Sequence, residues 1–174
     1  MEGARKHFPG KKQEINKWEL QVYQNNEEML NEALKKFETA VAENPEDVNV
    51  RVSYANLLSK NGDTTAAIKQ YKKALEQDTE NLVAVYNLGA LYNNIAKRYG
   101  DQANQTDDGD RVTHLRDRQQ ENAKKAYKYM KKANKLDPDN PSTLRTLFNI
   151  AFLLDKPEEE YMKYKNRAEE LENQ

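Results

Sequence analysis

The sequence has 174 residues, of which 37% are hydrophobic and 33% charged, with a formal net charge of −1. This size suits one domain, and the small numbers of Gly and Pro, six and five, favour helices over strands. No strongly basic face is evident, so we expect no nucleic-acid partner. The absence of cysteine excludes disulfides, thiolate metal sites and a cysteine nucleophile.

The first segment, "MEGARKHFPGKK", is a basic leader that we predict to be disordered over residues 1–13. No long apolar run follows it, so it is neither a signal peptide nor a membrane span, and no membrane insertion is expected. Residues 14–174 form the predicted folded domain.

Three segments of this domain repeat one pattern of small and aromatic residues, with spacings of four, three and five. The matching positions are Ala33, Phe37, Ala40 and Pro45; Ala67, Tyr71, Ala74 and Thr79; and Ala126, Met130, Ala133 and Pro138. The first two copies are 34 residues apart, which indicates an internal repeat.

A complementary half precedes two of these copies, and both segments have the apolar spacing of an amphipathic helix. Tyr54, Ala55 and Leu58 in one correspond to Leu88, Gly89 and Tyr92 in the other. Between the halves, "NGD" at 61–63 predicts a turn, with Gly62 in a left-handed cap and Asp63 or Thr64 capping the next helix.

These residues resemble the tetratricopeptide repeat (TPR) family, whose 34-residue unit is a helix-turn-helix with small residues where helices cross. The resemblance implies an all-α, right-handed α-solenoid of antiparallel helix pairs. It predicts about four units, at about 14–47, 48–81, 82–140 and 141–174. Both terminal units are atypical, since Gln21 and Gln24 in the first, and Phe148, Glu160 and Arg167 in the last, replace the expected small or aromatic residues.

The third unit contains an insertion at about 97–120. Tyr92 and Ala126 are 34 residues apart, whereas Leu58 and Ala67 at the corresponding positions are nine apart. We predict an extended helical hairpin with a turn at Thr106–Asp110, in which Gly109 can adopt a positive φ and Asp110 can cap the following helix. We expect its outer part to be polar.

The sequence predicts no catalytic residue, metal site or cofactor. The most metal-like stretch, "NQTDDGDRVTHL", has Leu115 where a calcium loop needs a bidentate Glu. His7 and His114 are isolated. Runs such as "PEEEY" and the pair Lys124 and Lys125 are typical of solvated helix faces. We therefore expect a protein that is not an enzyme.

The family resemblance implies a concave face lined by the first helix of each unit, where a partner peptide or helix would bind. The predicted lining is Asn49, Val52, Ser53, Asn56, Val83, Tyr86, Asn87, Ala90, Asn93, Asn94, Arg145 and Asn149. The basic residues of a chaperone-type carboxylate clamp are missing, because Val52, Ser142 and Thr146 occupy their positions.

The first hypothesis for function is a non-enzymatic scaffold that binds a partner protein or peptide. A recruiting or regulatory domain of a larger envelope or enzyme complex is an alternative, and a self-associating homo-oligomer that uses the hairpin is another. Similar long hairpins in bacterial envelope TPR proteins favour the periplasm or cell envelope slightly over the cytoplasm.

Overall fold

A computed structural model describes residues 27–173, and these residues form seven helices and no strands. The helices are α1 (Glu27–Glu43), α2 (Val48–Lys60), α3 (Thr64–Gln77), α4 (Leu82–Asn104), α5 (Gly109–Leu136), α6 (Pro141–Leu153) and α7 (Glu158–Glu172). The basic leader, His7, Gln21 and Gln24 lie outside the described residues. No helix within 27–173 is long and apolar enough to cross a membrane.

The chain divides into two compact units, with the boundary after Gln70 inside α3. The first unit, Met1–Gln70, contains α1, α2 and the start of α3, and the second, Tyr71–Gln174, contains the remaining helices.

The turn between α2 and α3 has the predicted form. Gly62 adopts a left-handed φ of 83° after the last turn of α2. The Asp63 carboxylate accepts a hydrogen bond of 2.9 Å from the Ala66 N–H and so caps α3. The "NGD" prediction is therefore confirmed, with Asp63 as the capping residue.

Arg51 is a buried cation of the first unit, on α2. Its guanidinium donates hydrogen bonds to the Pro45 carbonyl at 2.6 Å and to Gln70 Oε1 at 3.0 Å. Because these acceptors lie in the turn before α2 and on α3, the side chain links both to α2. These two bonds match Nη1 and Nη2 and so offset part of the cost of burying the charge, whereas Nε is buried and has no hydrogen-bond partner among the described residues.

Most of the repeated small and aromatic positions are buried, as the repeat pattern predicts. The buried members are Ala33, Ala55, Ala67, Tyr71, Ala74, Gly89, Ala126, Met130 and Ala133. Phe37 and Ala40 are only half-buried. Small side chains at such positions allow helix axes to approach closely.

The helices of the third predicted repeat, α4 and α5, form an extended antiparallel hairpin. α4 has 23 residues and α5 has 28, whereas α2 and α3 have 13 and 14. Contacts between α4 and α5 progress toward the turn from Gly89 with Met130, through Gly100 with Gln119, to Asn104 with Arg116. The extra residues lengthen the hairpin by roughly 15–20 Å.

The turn of this hairpin differs in detail from the prediction. Asp108, and not Asp110, caps α5, since its carboxylate accepts a hydrogen bond of 3.1 Å from the Arg111 N–H. Gly109 is the first residue of α5, and among the glycines of residues 27–173 only Gly62 has a positive φ. A helix that begins one residue after Asp108 leaves Asp110 inside its first turn.

The hairpin buries two polar side chains. Gln119 and Asn122 are both buried. Gln119 Oε1 accepts a hydrogen bond of 2.8 Å from Arg116, and Asn122 Nδ2 donates one of 2.8 Å to the Arg118 carbonyl. Gly100 leaves room for Gln119, because a β-carbon there would lie 2.4 Å from Gln119 Nε2.

The last helix pair is fastened to α5 by polar contacts. The Tyr127 hydroxyl donates to the Glu160 carboxylate on α7, and Gln120 Nε2 donates to the Leu153 carbonyl at 3.1 Å. Burial first, and then the Glu160 bond, raise the pKa of Tyr127. Glu160 therefore replaces the expected small residue with a directional contact.

Candidate partner-binding surface

Six of the predicted groove residues form one stripe along α4. Val83, Tyr86, Asn87, Ala90, Asn93 and Asn94 recur every three or four residues, so they share one side of the helix. They are exposed or half-buried, whereas Ala84, Val85 and Leu88 on the other side are fully buried. Asn81 starts this helix by accepting a hydrogen bond of 3.1 Å from the Ala84 N–H. We call these six residues the α4 stripe.

Asn87 has a structural contact as well as a place in the α4 stripe. Its side chain is hydrogen-bonded to the hydroxyl of Tyr71, which is almost completely buried on α3. Burial raises the pKa of Tyr71, and the bond from Asn87 offsets part of that rise. Part of the Asn87 amide is thus used to satisfy a buried hydroxyl.

Four of the predicted groove residues belong to the first compact unit, Met1–Gln70, and lie on α2. Asn49 is exposed, and Ser53 and Asn56 are half-buried. Val52 is different, since only 6% of it is exposed. Its side chain packs in the interior and offers a partner almost no area, which corrects its assignment to the groove lining.

Arg145 and Asn149 are both exposed on α6. Arg145 forms an ion pair with Glu172 near the end of α7. Asn140 and Pro141 start α6, and the Asn140 side chain accepts a hydrogen bond of 3.0 Å from the Thr143 N–H.

Phe152 is a surface residue on α6 that the sequence reasoning missed. It is 65% exposed, and it follows Arg145 and Asn149 at the i+7 and i+3 positions of the same side. Its ring packs edge-to-face against Tyr161 on α7, with a centroid distance of 5.6 Å. The repeat spacing could have revealed it, because Phe152 occupies the position that Asn93 has in the preceding repeat.

The structure therefore groups the predicted residues by helix. The α4 stripe is continuous. A second row on α6 consists of Arg145, Asn149 and Phe152, and both rows belong to the second compact unit, Tyr71–Gln174. The predicted residues on α2 belong to the first compact unit, Met1–Gln70. A single groove that joins all three helices stays a prediction.

The described residues contain no group of three or more His, Cys, Asp or Glu side chains placed to hold a metal ion. His114 is exposed near the hairpin turn. The α4 stripe and the row of Arg145, Asn149 and Phe152 on α6 offer amides, one guanidinium, aromatic rings and small apolar side chains. Such groups donate and accept hydrogen bonds and bury apolar area, which are the elements of peptide recognition.

A family profile for the tetratricopeptide repeat matches residues 27–88. The chain contains tetratricopeptide repeats over these residues. This TPR chain also resembles the crystal structure of TTC0263, a thermophilic TPR protein from Thermus thermophilus, with 20% identity and a TM-score of 0.56. The similarity covers 92% of this chain and 74% of TTC0263, and it shows the shared fold.

A second solved structure with detectable similarity is MamA from Desulfovibrio magneticus RS-1. It is 18% identical to the TPR chain, with a TM-score of 0.39, and the match covers 89% of this chain and 96% of that one. A search of curated protein sequences finds no match.

Proposed function

We propose that this TPR protein is a non-enzymatic scaffold that binds an extended segment or helix of a partner protein along α4 and α6. TPR solenoids use extended faces formed by successive repeats for such binding. The α4 stripe carries the proposal, because it places a tyrosine, three asparagines and two apolar residues in one accessible row.

The accessible chemistry of this row supports a peptide ligand. Asn93 and Asn94 can each donate to and accept from a peptide backbone, whose hydrogen-bonding groups must be matched on binding. Val83, which is 52% exposed, and Phe152 on α6 supply apolar contact area. An aromatic anchor surrounded by polar groups is typical of interface residues that contribute strongly to affinity.

Site-specific photo-crosslinking in the native organism tests the proposal. A photoreactive amino acid at Asn94 or Asn149 should crosslink to a defined segment of one partner, identified by mass spectrometry. Gln102 provides the control position, because it is exposed on α4 nearer the hairpin turn and outside the α4 stripe.

The double variant Tyr86→Ala, Phe152→Ala should abolish the crosslink from Asn94 while its circular dichroism stays that of the wild type. Asn87 is left unchanged because of its bond to Tyr71. Equal crosslinking from Asn94 and Gln102, or full crosslinking in the double variant, would exclude α4 and α6 as the binding surface.

A further inference from the structure

The longest helix carries an uninterrupted run of positive charge. Between Glu121 and Asp137, α5 has no acidic residue and six lysines: Lys124, Lys125, Lys128, Lys131, Lys132 and Lys135. At about 100° per residue these six fall within roughly one third of the helix circumference. The opposite side of α5, with Ala126, Met130 and Ala133, is buried. The sequence analysis assigned Lys124 and Lys125 to a solvated helix face, but the six lysines together form a one-sided basic surface.

Most of these charges have no acidic partner within residues 27–173. Lys125 pairs with Glu121 at 2.6 Å, and Lys131 lies 3.8 Å from Glu160. Lys124, Lys128, Lys132 and Lys135 form no ion pair among the described residues, and all but Lys132 are exposed. Like charges held on adjacent turns repel each other, so an anion that binds there would relieve that repulsion.

Lys72 of α3 extends this basic surface, and its ammonium group lies over one of a pair of stacked tyrosine rings. Tyr92 on α4 and Tyr129 on α5 are stacked, with ring centroids 5.9 Å apart and an interplanar angle of 9°. Lys72 of α3 and Lys125 lie over the same Tyr92 ring, at 6.0 and 5.7 Å from its centroid, and Lys128 lies 6.0 Å from that of Tyr129. The ring contacts favour these positions of the ammonium groups.

We propose that Lys72 and the six α5 lysines form a second binding surface, separate from the α4 stripe, for a short acidic segment of a partner protein. We call it the lysine surface. Its charge is complementary to Asp and Glu side chains, and charge complementarity mainly sets specificity and association rate.

The dimensions of the lysine surface favour a short segment over a long polyanion. From Lys124 to Lys135 the helix rises roughly 16 Å, which matches about five residues of extended peptide. Acidic residues border both ends, namely Asp117 and Glu121 before it and Asp137 and Asp139 after it. Glu121 and Asp139 are paired with Arg118 and Arg167, so a longer polyanion would meet mixed charge beyond either end and gain little from it.

The lysine surface also lacks the apolar anchors that interfacial membrane binding uses. The large hydrophobic residues exposed within residues 27–173 are Leu82, Val83 and Phe152, and none is on α5. An acidic protein segment is therefore the ligand that the observations favour.

Fluorescence anisotropy with the full chain tests this inference. The probe is a fluorescein-labelled peptide of alternating Glu and Asp, with the matching Gln and Asn peptide as its uncharged control. The acidic probe should bind at low salt and the uncharged one should not, and the affinity should fall as salt is added.

The decisive comparison uses two triple variants with the same change in net charge. Lys128→Gln, Lys132→Gln, Lys135→Gln removes part of the lysine surface, and Lys60→Gln, Lys97→Gln, Lys163→Gln removes three exposed lysines elsewhere. We expect the first to weaken binding of the acidic probe about tenfold and the second less than about twofold.

Three results would overturn the inference. The first is that the acidic probe does not bind, and the second is that both triple variants weaken its binding equally. The third is that vesicles with anionic lipid or a single-stranded RNA bind more tightly than the probe and lose that binding in the first variant. The last result would assign the lysine surface to a different class of ligand.

Discussion

Gly89 on α4 lies so close to Met130 on α5 that a β-carbon at position 89 would come within 3.1 Å of Met130 Cε. Gly89→Leu should therefore reduce the free energy of unfolding by about 1–3 kcal/mol, because the added atoms overpack the helix contact. Urea unfolding followed by circular dichroism measures this change.

Gly109 is the matched control for this prediction. No atom lies within 4 Å of a β-carbon built at Gly109. Gly109→Leu should leave the free energy of unfolding unchanged or raise it slightly, since Leu has the higher helix propensity. If the two variants were equally stable, close packing at Gly89 would not limit the approach of α4 to α5.

The hairpin turn gives a second prediction through its cap. Asp108→Ala removes the side chain that accepts from the Arg111 N–H and should cost about 1 kcal/mol. Hydrogen exchange should accelerate at the first amides of α5. Asp110→Ala is the control, because Asp110 lies inside the first turn of α5 and is not its capping residue. A larger effect at Asp110 would contradict the observed start of α5.

The core of the fold was predictable because its constraints are local and repeated. Ala67, Tyr71 and Ala74 are buried as their spacing required, since a helix fixes which residues share one side. The α4 stripe followed from the same periodicity. Periodicity within one helix does not predict which residues of two different helices contact each other. Gln119 is polar, and only the glycine opposite it on α4 makes its burial feasible.

The last repeat shows why the remainder of the site was missed. Phe152 corresponds to Asn93 by repeat position, and 65% of it is exposed although it is a large apolar residue. Periodicity predicts which side of a helix a residue occupies, whereas exposure depends on what packs against that side. An apolar residue at a polar repeat position was the available signal.

Asp155 provides a third prediction, because it adopts a positive φ of 52° in the turn after α6. The Lys156 N–H reaches the Ala151 carbonyl at 3.0 Å, as the Asp63 N–H reaches the Leu58 carbonyl at 3.0 Å around Gly62. The two turns share this helix-ending motif, which glycine fits best. Asp155→Gly should therefore stabilise the protein by about 0.5–1 kcal/mol.

The reciprocal change at the first turn is the comparison for Asp155. Gly62→Ala should destabilise by about 1 kcal/mol, because alanine adopts a left-handed conformation at a cost and the space around Gly62 is otherwise open. Thermal unfolding of both variants separates the effects. A lower melting temperature for Asp155→Gly would mean that the Asp155 side chain contributes more than its backbone strain costs.

Stability should fall above about pH 10, and Tyr71 is one of the buried tyrosines that contribute to this loss. Burial raises the pKa of Tyr71 in the folded protein above its unfolded value, so the hydroxyl stays protonated when the folded chain is titrated through that range. The unfolded chain then binds fewer protons than the folded one, and the free energy of unfolding decreases as pH rises. The contribution of Tyr71 is complete below the unfolded pKa and is lost progressively above it, with a limiting slope of about 1.4 kcal/mol per pH unit.

Urea unfolding at several values between about pH 9 and about pH 11 measures that slope. Tyr71→Phe removes the ionisable group and its bond to Asn87, so the variant should be less stable near neutral pH but lose less stability on alkalinisation. Tyr86→Phe is the matched control, since Tyr86 is half-exposed on the α4 stripe and the same hydroxyl group is removed there from a less buried position. Parallel pH profiles for the wild type and Tyr71→Phe would show that ionisation of Tyr71 is not coupled to unfolding.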